Sequence, residues 1–343
     1  MKPLLILDQH FRTVEELFRP ATFQALSALC DIRGGHNSPM DRSVIDAHLP
    51  DATFYIAARP VLSAADVANA PHLRATIEVA GAFLDGLDYA ACLSRGVEVL
   101  SCSPGFRQSV AEMTVAMMLG GARGLVAEHE AFRRGAERWL DDREDRDFSL
   151  YGQSIGFIGY GQIARETQRL IAPFAPKAFA YDPYLNDAGP DVTLCDLDTL
   201  VSTCRVVVMA AVPSEDTKGL LSEKLIARLS PGALVIVISR AWSVDFPALV
   251  AAAEAGRITV ATDVYPDEPV PPTDPVRKVP HIIHSPHRAA AVNGGRHLIG
   301  DMVLHDIQAI LEGRPDRHLK RADPAMVASL VAAQRGIPGT PTS

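Results

Sequence analysis

Apolar residues along this 343-residue chain fall into short runs separated by stretches with helical spacing. In the first hundred residues the runs at 3–8, 53–57, 73–80 and 97–101 read as strands. Helices are expected at 21–29, just after Pro20, and at 87–94. Strands alternating with helices point to βαβ units and a parallel sheet. After Gln108 the period changes: Val110, Met113, Thr114, Met117 and Met118 recur at the spacing of one helix face. That stripe reads as core packing. Gly120, Gly121 and Gly124 should loosen the helix, and the charge-rich stretch 131–147 reads as an exposed loop or boundary. A second series begins at Ser154, with strands expected at 154–159, 178–181, 206–211, 233–238, 259–264 and 282–284. Helices are expected between them at 162–171, 222–229 and 247–255, and a last long one at roughly 293–311. Near-continuous apolar runs of this kind are what strands buried on both faces look like.

Length alone suggests two domains. The balance of 33 basic against 41 acidic residues, a net charge of −8, argues against a nucleic-acid partner. Apolar content of 48% with 22% charged residues excludes a largely disordered chain. The five cysteines are scattered without a C-x-x-C pair, so neither a metal cluster nor a disulfide framework is expected. A reducing, cytoplasmic setting follows as the default. The opening run Leu4–Leu7 is too short for a signal peptide, and no stretch reaches the length of a membrane helix.

The strongest local signal is Gly159-Tyr160-Gly161-Gln162-Ile163-Ala164, a G-x-G-x-x-A directly after an apolar strand and opening a helix. Gly159 permits a tight turn, Gly161 lets backbone approach a pyrophosphate, and Ala164 allows close helix–strand packing. Asp182 ends the next strand, 21 residues after Gly161, where a carboxylate bonds both ribose hydroxyls of NAD and repels a 2′-phosphate. A second constellation comprises Arg240, Glu268 and His287, each at or just past a strand's carboxyl end, where open α/β sheets bind ligands. Arg240 suits bidentate binding of a carboxylate and polarisation of a neighbouring carbonyl. His287 suits proton exchange with a hydroxyl near neutral pH, and Glu268 would orient the imidazole and favour its charged form.

On these residues the chain resembles the D-isomer-specific 2-hydroxyacid dehydrogenases, over nearly its whole length from about Leu4 to about Lys320. The stretch Ala80-Gly81-Ala82-Phe83-Leu84-Asp85-Gly86-Leu87-Asp88 looks like that family's substrate-carboxylate loop, and Val110–Thr114 like the start of its interdomain helix. The resemblance implies two doubly wound parallel-sheet α/β domains. A flavodoxin-like substrate domain, 1–106 with 293–343, receives an inserted Rossmann-type NAD domain, 107–292. It implies hydride transfer between NAD(H) and a small D-2-hydroxy acid or 2-keto acid, with Arg240, Glu268 and His287 catalytic and no metal. Substrate contacts would come from Ala82, Phe83, Leu84 and Arg240. Cofactor contacts would come from Gly159, Gly161, Gln162, Ile163, Asp182, Pro213, Thr217, Ile238, Ser239 and Asp263. A homodimer is implied as well, with Trp139 matching a dimer-arm tryptophan; no nucleic-acid or membrane partner is. Three departures stand out. Phe83 replaces a usual glycine, Ala241-Trp242-Ser243 follow Arg240 where a glycine is usual, and Ala210-Ala211-Val212-Pro213 replaces a histidine-bearing strand end. Phe83 and Trp242 are therefore expected to narrow or rearrange the substrate pocket, unless Phe83 is simply core. Glu268 separates the chain from formate dehydrogenases, which carry glutamine there, and the loop lacks the lysine of phosphite dehydrogenases. The other reading of the same fold is an NAD-sensing, corepressor-like binding protein.

Overall fold

In chain order the strands are β1 (Leu4–Asp8), β2 (Asp31–Gly34), β3 (Ala52–Ala57), β4 (Ala75–Glu78), β5 (Glu98–Ser101), β6 (Ser154–Ile158), β7 (Lys177–Tyr181), β8 (Val192–Leu194), β9 (Val206–Met209), β10 (Leu234–Val237), β11 (Thr259–Thr262), β12 (Ile282–His284) and β13 (Lys320–Arg321). They belong to a computed structural model that describes residues 2–8, 13–83, 85–140, 146–324 and 327. The chain forms two units: one takes the sequence up to Arg107 and again from Val292, and the other is Gln108–Ala291.

The first unit holds a sheet in the order β13-β5-β4-β3-β1-β2, parallel except for β13, which pairs antiparallel with β5. Apart from β13 this is the flavodoxin-like order. Alternation along its strands explains the two layers around it. Leu5, Leu7, Phe54, Ile56 and Ile77 face one side, under helices Pro20–Leu29 and His297–Leu311, while Ile6, Tyr55, Ala57 and Val99 face the other.

The second unit holds an all-parallel sheet in the order β12-β11-β10-β9-β6-β7-β8. Both directions of winding start at β6, so the order reverses between β6 and β9, and the chain leaving β6 enters the crevice at that point. The strands are buried on both faces, as Val206–Met209 and Leu234–Val237 show at 0% exposure throughout.

Three strands lie outside the sequence reading: β2, β8 and β13. All are two to four residues long at sheet edges and carry mixed polarity, so no apolar run marks them. The long helix also differs. Arg107–Ala122 runs unbroken through Gly120 and Gly121, and the break comes only at Gly124, whose φ is +58°. Gly121 is a packing residue: a Cβ there would lie 2.6 Å from a methyl of Leu234 on β10. A second helix, Leu125–Arg133, then takes up the start of the charged stretch. Of the methionine stripe, Val110, Thr114, Met117 and Met118 are buried. No single helix among the described residues is long and apolar enough to cross a membrane.

Candidate active site

The turn after β6 shows why glycine is needed there. Gly159 has φ +85°, and a Cβ would lie 2.5 Å from the Cα of Ala211 at the end of neighbouring β9. Its N–H donates to the Tyr181 carbonyl at 2.8 Å, which ties the turn to β7. Gly161 is the N-cap of helix Gln162–Ile171, and a Cβ there would meet nothing within 4 Å. Open space thus faces the free N–H groups of a helix start, the arrangement that receives a phosphate. Ala164 is buried beneath it, while Gln162 is exposed and Ile163 half-buried.

Asp182 stands just past β7, half-buried. Its Oδ2 accepts from the Tyr160 N–H at 3.0 Å and its Oδ1 from the Tyr184 N–H at 3.1 Å. The carboxylate is fixed to the glycine turn itself, and each oxygen keeps a lone pair for a further donor. Glycine cradle, open helix start and anchored acid together fit a dinucleotide without a 2′-phosphate.

Further along the same sheet edge the sequence places Pro213, Thr217, Ile238 and Ser239. Thr217 Oγ1 donates to the Val212 carbonyl at 2.9 Å and accepts from the Ser214 N–H at 2.8 Å, closing the turn after β9. Trp242 braces that turn, since its indole N–H donates to the Ser214 carbonyl at 2.9 Å while Lys218 Nζ sits 4.5 Å over the ring. Trp242 thus helps to hold this turn. Ile238 is buried, and the buried Ser239 Oγ has no partner among the described residues.

Glu268 and His287 are brought together, with His287 Nδ1 2.5 Å from Glu268 Oε2. The other carboxylate oxygen accepts the Tyr265 N–H at 2.9 Å. Burial pushes the Glu268 carboxyl up, but the hydrogen bond from His287, the Tyr265 N–H and the charges of His287 and Arg240 outweigh it and hold the group below its ordinary value. His287 has φ +51°, a left-handed backbone that a β-carbon disfavours. Its N–H donates to the Asp263 carbonyl at 2.8 Å.

Asp263 supplies the rest of that restraint. It is 1% exposed, and its carboxylate accepts from the Ser285 hydroxyl, from the Arg288 N–H at 2.8 Å and from the Ala289 N–H at 2.9 Å. Its carboxylate thereby grips the loop that carries His287.

Arg240 follows β10 in extended backbone, and its Nη1 donates to the Ser239 carbonyl at 2.8 Å. The guanidinium is exposed although protein atoms crowd it. That desolvation lowers its pKa, opposed by the charges of Glu268 and Asp263. No ion pair to either is present among the described residues. A guanidinium stays charged in proteins.

In the first unit the loop after β4 holds Ala82, half-buried, and Phe83, 6% exposed; Leu84 lies outside the described residues. The Phe83 ring packs into the core, 6.4 Å from the Tyr89 ring at an edge-on angle. The bulky residue in place of glycine therefore anchors the loop from its core side. The sequence reading passed over Glu78, buried at the end of β4, whose Oε2 accepts from the Ala80 and Gly81 N–H groups at 2.9 and 2.8 Å. Its one signal was an acid closing a strand of otherwise uncharged residues.

A family model described as the NAD-binding domain of the D-isomer-specific 2-hydroxyacid dehydrogenases matches residues 115–289. Among curated proteins, the D-3-phosphoglycerate dehydrogenase of Archaeoglobus fulgidus is 28% identical over 243 residues, 70% of this chain and 46% of that protein. The hydroxypyruvate reductase of Thermotoga maritima is 26% identical over 264 residues, 76% of this chain and 85% of that protein. The chain thus spans about half the length of the phosphoglycerate dehydrogenase it matches. Among solved structures, a phosphoglycerate oxidoreductase from Rhizobium etli is 30% identical with a TM-score of 0.83, covering 94% of this chain and 99% of that one. The matched segment is the unit built on β6, so the cofactor of that unit is NAD, and the chain belongs to the D-isomer-specific 2-hydroxyacid dehydrogenase family.

Proposed function

We propose that the protein is an NAD-dependent oxidoreductase that interconverts a small D-2-hydroxy acid and its 2-keto acid. The observation that carries this reading is the Glu268–His287 pair at 2.5 Å, held past the carboxyl ends of the sheet that also bears the glycine turn and Arg240. The names of the relatives, a hydroxypyruvate reductase and phosphoglycerate dehydrogenases, support the substrate class.

The cofactor's part, when bound, is to exchange a hydride with substrate C2. The protein's part is to hold the acid and move a proton. Because His287 Nδ1 faces Glu268, Nε2 is the nitrogen left for substrate. In reduction the imidazolium donates its Nε2 proton to the carbonyl oxygen; in oxidation the neutral ring takes the hydroxyl proton back. Positioned acid–base help of this kind contributes about 10²–10⁴-fold. Arg240 binds the substrate carboxylate and polarises the adjacent carbonyl, and the backbone N–H groups of Ala82 and Phe83 are offered as carboxylate donors. Glu268 and Asp263 act through His287, the one on its ring and the other on its backbone. The first unit, 1–106 with 293–343, serves the substrate and 107–292 serves NAD. We further propose a homodimer using the arm around Phe132, Trp139 and Leu140, which are 61%, 77% and 101% exposed, checked by sedimentation.

A panel of 2-keto acids assayed by NADH absorbance tests the activity, with His287→Gln as the control. Turnover lost in the variant at every pH is expected. Firm NADH binding without turnover of any keto acid would refute it and favour a binding protein of the same fold.

A further inference from the structure

The buried carboxylate of Glu78 has no part in the chemistry above, yet it sits directly under the loop given to the substrate carboxylate. Glu78 ends β4 at 2% exposure. Its Oε2 takes the N–H groups of Ala80 and Gly81, at 2.9 and 2.8 Å, and the Ala82 N–H also favours its charged form. Its Oε1 is buried with no hydrogen-bond partner among the described residues. The Ser101 hydroxyl on neighbouring β5 lies close enough to favour the anion without bonding Oε1. From helix Tyr89–Ser94 the Tyr89 phenol faces the same region; desolvation first, and then the charge of Glu78, push its pKa up. None of the principal groups acting on Glu78 is a cation.

This arrangement resembles a carboxylate ligand bound to the loop from inside. Backbone N–H groups in consecutive positions form an anion-binding nest, and here the protein's own acid fills part of it. We propose that Glu78 is a positioning residue for substrate binding: it orients the loop 80–83 by claiming its first N–H groups and, when charged, weakens the loop's hold on a second carboxylate. The inference rests on the carboxylate-binding role proposed for that loop.

Burial without a counter-charge pushes the Glu78 carboxyl up to about 7, so its charge changes within the working range of the protein. Below that pH the neutral acid keeps one oxygen as an acceptor for Ala80 and Gly81 and can turn its O–H toward Ser101. Above it, two like charges lie across one turn of backbone.

Calorimetric binding of oxalate, a carboxylate probe that cannot be reduced by hydride transfer to a ketone, to the NADH-loaded full chain gives the test. Between about pH 6 and about pH 8 the wild type should lose roughly five- to tenfold in affinity, the size expected for like charges a few ångströms apart in a partly screened site. Glu78→Gln keeps the shape and the acceptor; it should bind oxalate at the tight, low-pH level throughout. Glu78→Asp keeps the charge and should keep a pH dependence. The same contrast should appear in KM, with kcat little changed, for any 2-keto acid turned over. Infrared titration adds a readout free of substrate, a protonated carboxyl band with a midpoint near 7 that is absent in Glu78→Gln. An identical pH dependence in wild type and Glu78→Gln overturns the inference, as does a missing infrared titration. Absence of keto-acid turnover with the oxalate contrast intact would instead defeat the proposed reaction and leave this role standing. Failure of oxalate to bind at either pH, with no turnover, defeats both.

Discussion

Replacing Glu268 by glutamine removes one negative charge from the closest contact His287 makes, and its effect can be sized in advance. The amide keeps the shape and one oxygen for the Tyr265 N–H, so the loop should stay in place. What it loses is the carboxylate 2.5 Å from Nδ1. The coupling is visible from the Glu268 side: burial raises its pKa, yet the hydrogen bond and charge of His287, with Tyr265 and Arg240, bring it below the ordinary value. The same contact holds the imidazole by its Nδ1. The two side chains are 44% and 29% exposed, which screens the pair and keeps the effect modest. In the proposed reduction His287 gives up a proton beside that carboxylate, so kcat/KM for reduction should fall about tenfold in Glu268→Gln, roughly 1.4 kcal/mol. The proposed oxidation starts from the neutral ring and should fall less. The assay is NADH absorbance across pH with the best keto acid, under conditions where a solvent isotope effect shows that proton transfer limits the rate. An unchanged kcat/KM for reduction with normal NADH affinity would mean that the carboxylate does nothing for His287, and Glu268 would lose its role.

Three further outcomes follow from other residues. Wild type should prefer NADH over NADPH by at least tenfold in kcat/KM, and Asp182→Ser should narrow that ratio; equal use of NADPH by wild type would remove the role of Asp182. Asp263→Asn should lower stability by about 2–4 kcal/mol in denaturant melts, since hydrogen bonds to a charged group contribute roughly 1.5–3 kcal/mol each. It should also lower kcat and speed amide exchange at 285–289 while leaving NADH affinity nearly unchanged; a fall in NADH affinity alone would place Asp263 in the cofactor set. Glu78, whose folded pKa is raised to about 7, should give stability that is full below the unfolded carboxylate range and is lost as pH rises through about 7. The loss amounts to about 3 kcal/mol for a fully desolvated acid, and melts of Glu78→Gln should be flat over the same window.

The sequence carried the two sheets well because strands such as Val206–Met209 and Leu234–Val237 are apolar at every position, and only burial on both faces explains that pattern. It lost the edge strands, where β2 and β8 have few apolar residues to mark them and pair on one side only. It lost the path of the chain through Gly121, because a glycine that breaks a helix and one that lets a helix sit against Leu234 look alike as letters. The glycine turn and Asp182 were legible since their spacing along the chain is also their spacing in space, across one βαβ unit. Glu268 and His287, 19 residues apart, could be read only as residues at strand ends, and the 2.5 Å contact needed the structure. Whether Phe83 faces a pocket or the core was left open for the same reason. A residue's place in a loop says nothing about whether its ring turns outward or, as here, onto Tyr89.

Asp263 and Glu78 show one physical device in two settings. Each is an acid at the carboxyl end of a parallel strand, each is almost wholly buried, and each holds by its carboxylate the backbone of a loop given a role in substrate chemistry. They differ in how many donors they meet. Asp263 accepts three hydrogen bonds through its carboxylate and a fourth through its own carbonyl, so both oxygens are served. That set offsets the left-handed backbone of His287, a strain of about 1–3 kcal/mol, and fixes the imidazole where Glu268 can reach it. Glu78 meets two N–H donors on one oxygen and none on the other. A bare buried lone pair costs about as much as a lost hydrogen bond, and protonation is the cheapest way to relieve it. The loop of His287 thus rests on an acid whose bonds are complete, while the loop proposed to hold the substrate rests on one whose bonds are not. Of the two, only the second loop should change its affinity with pH through the acid beneath it.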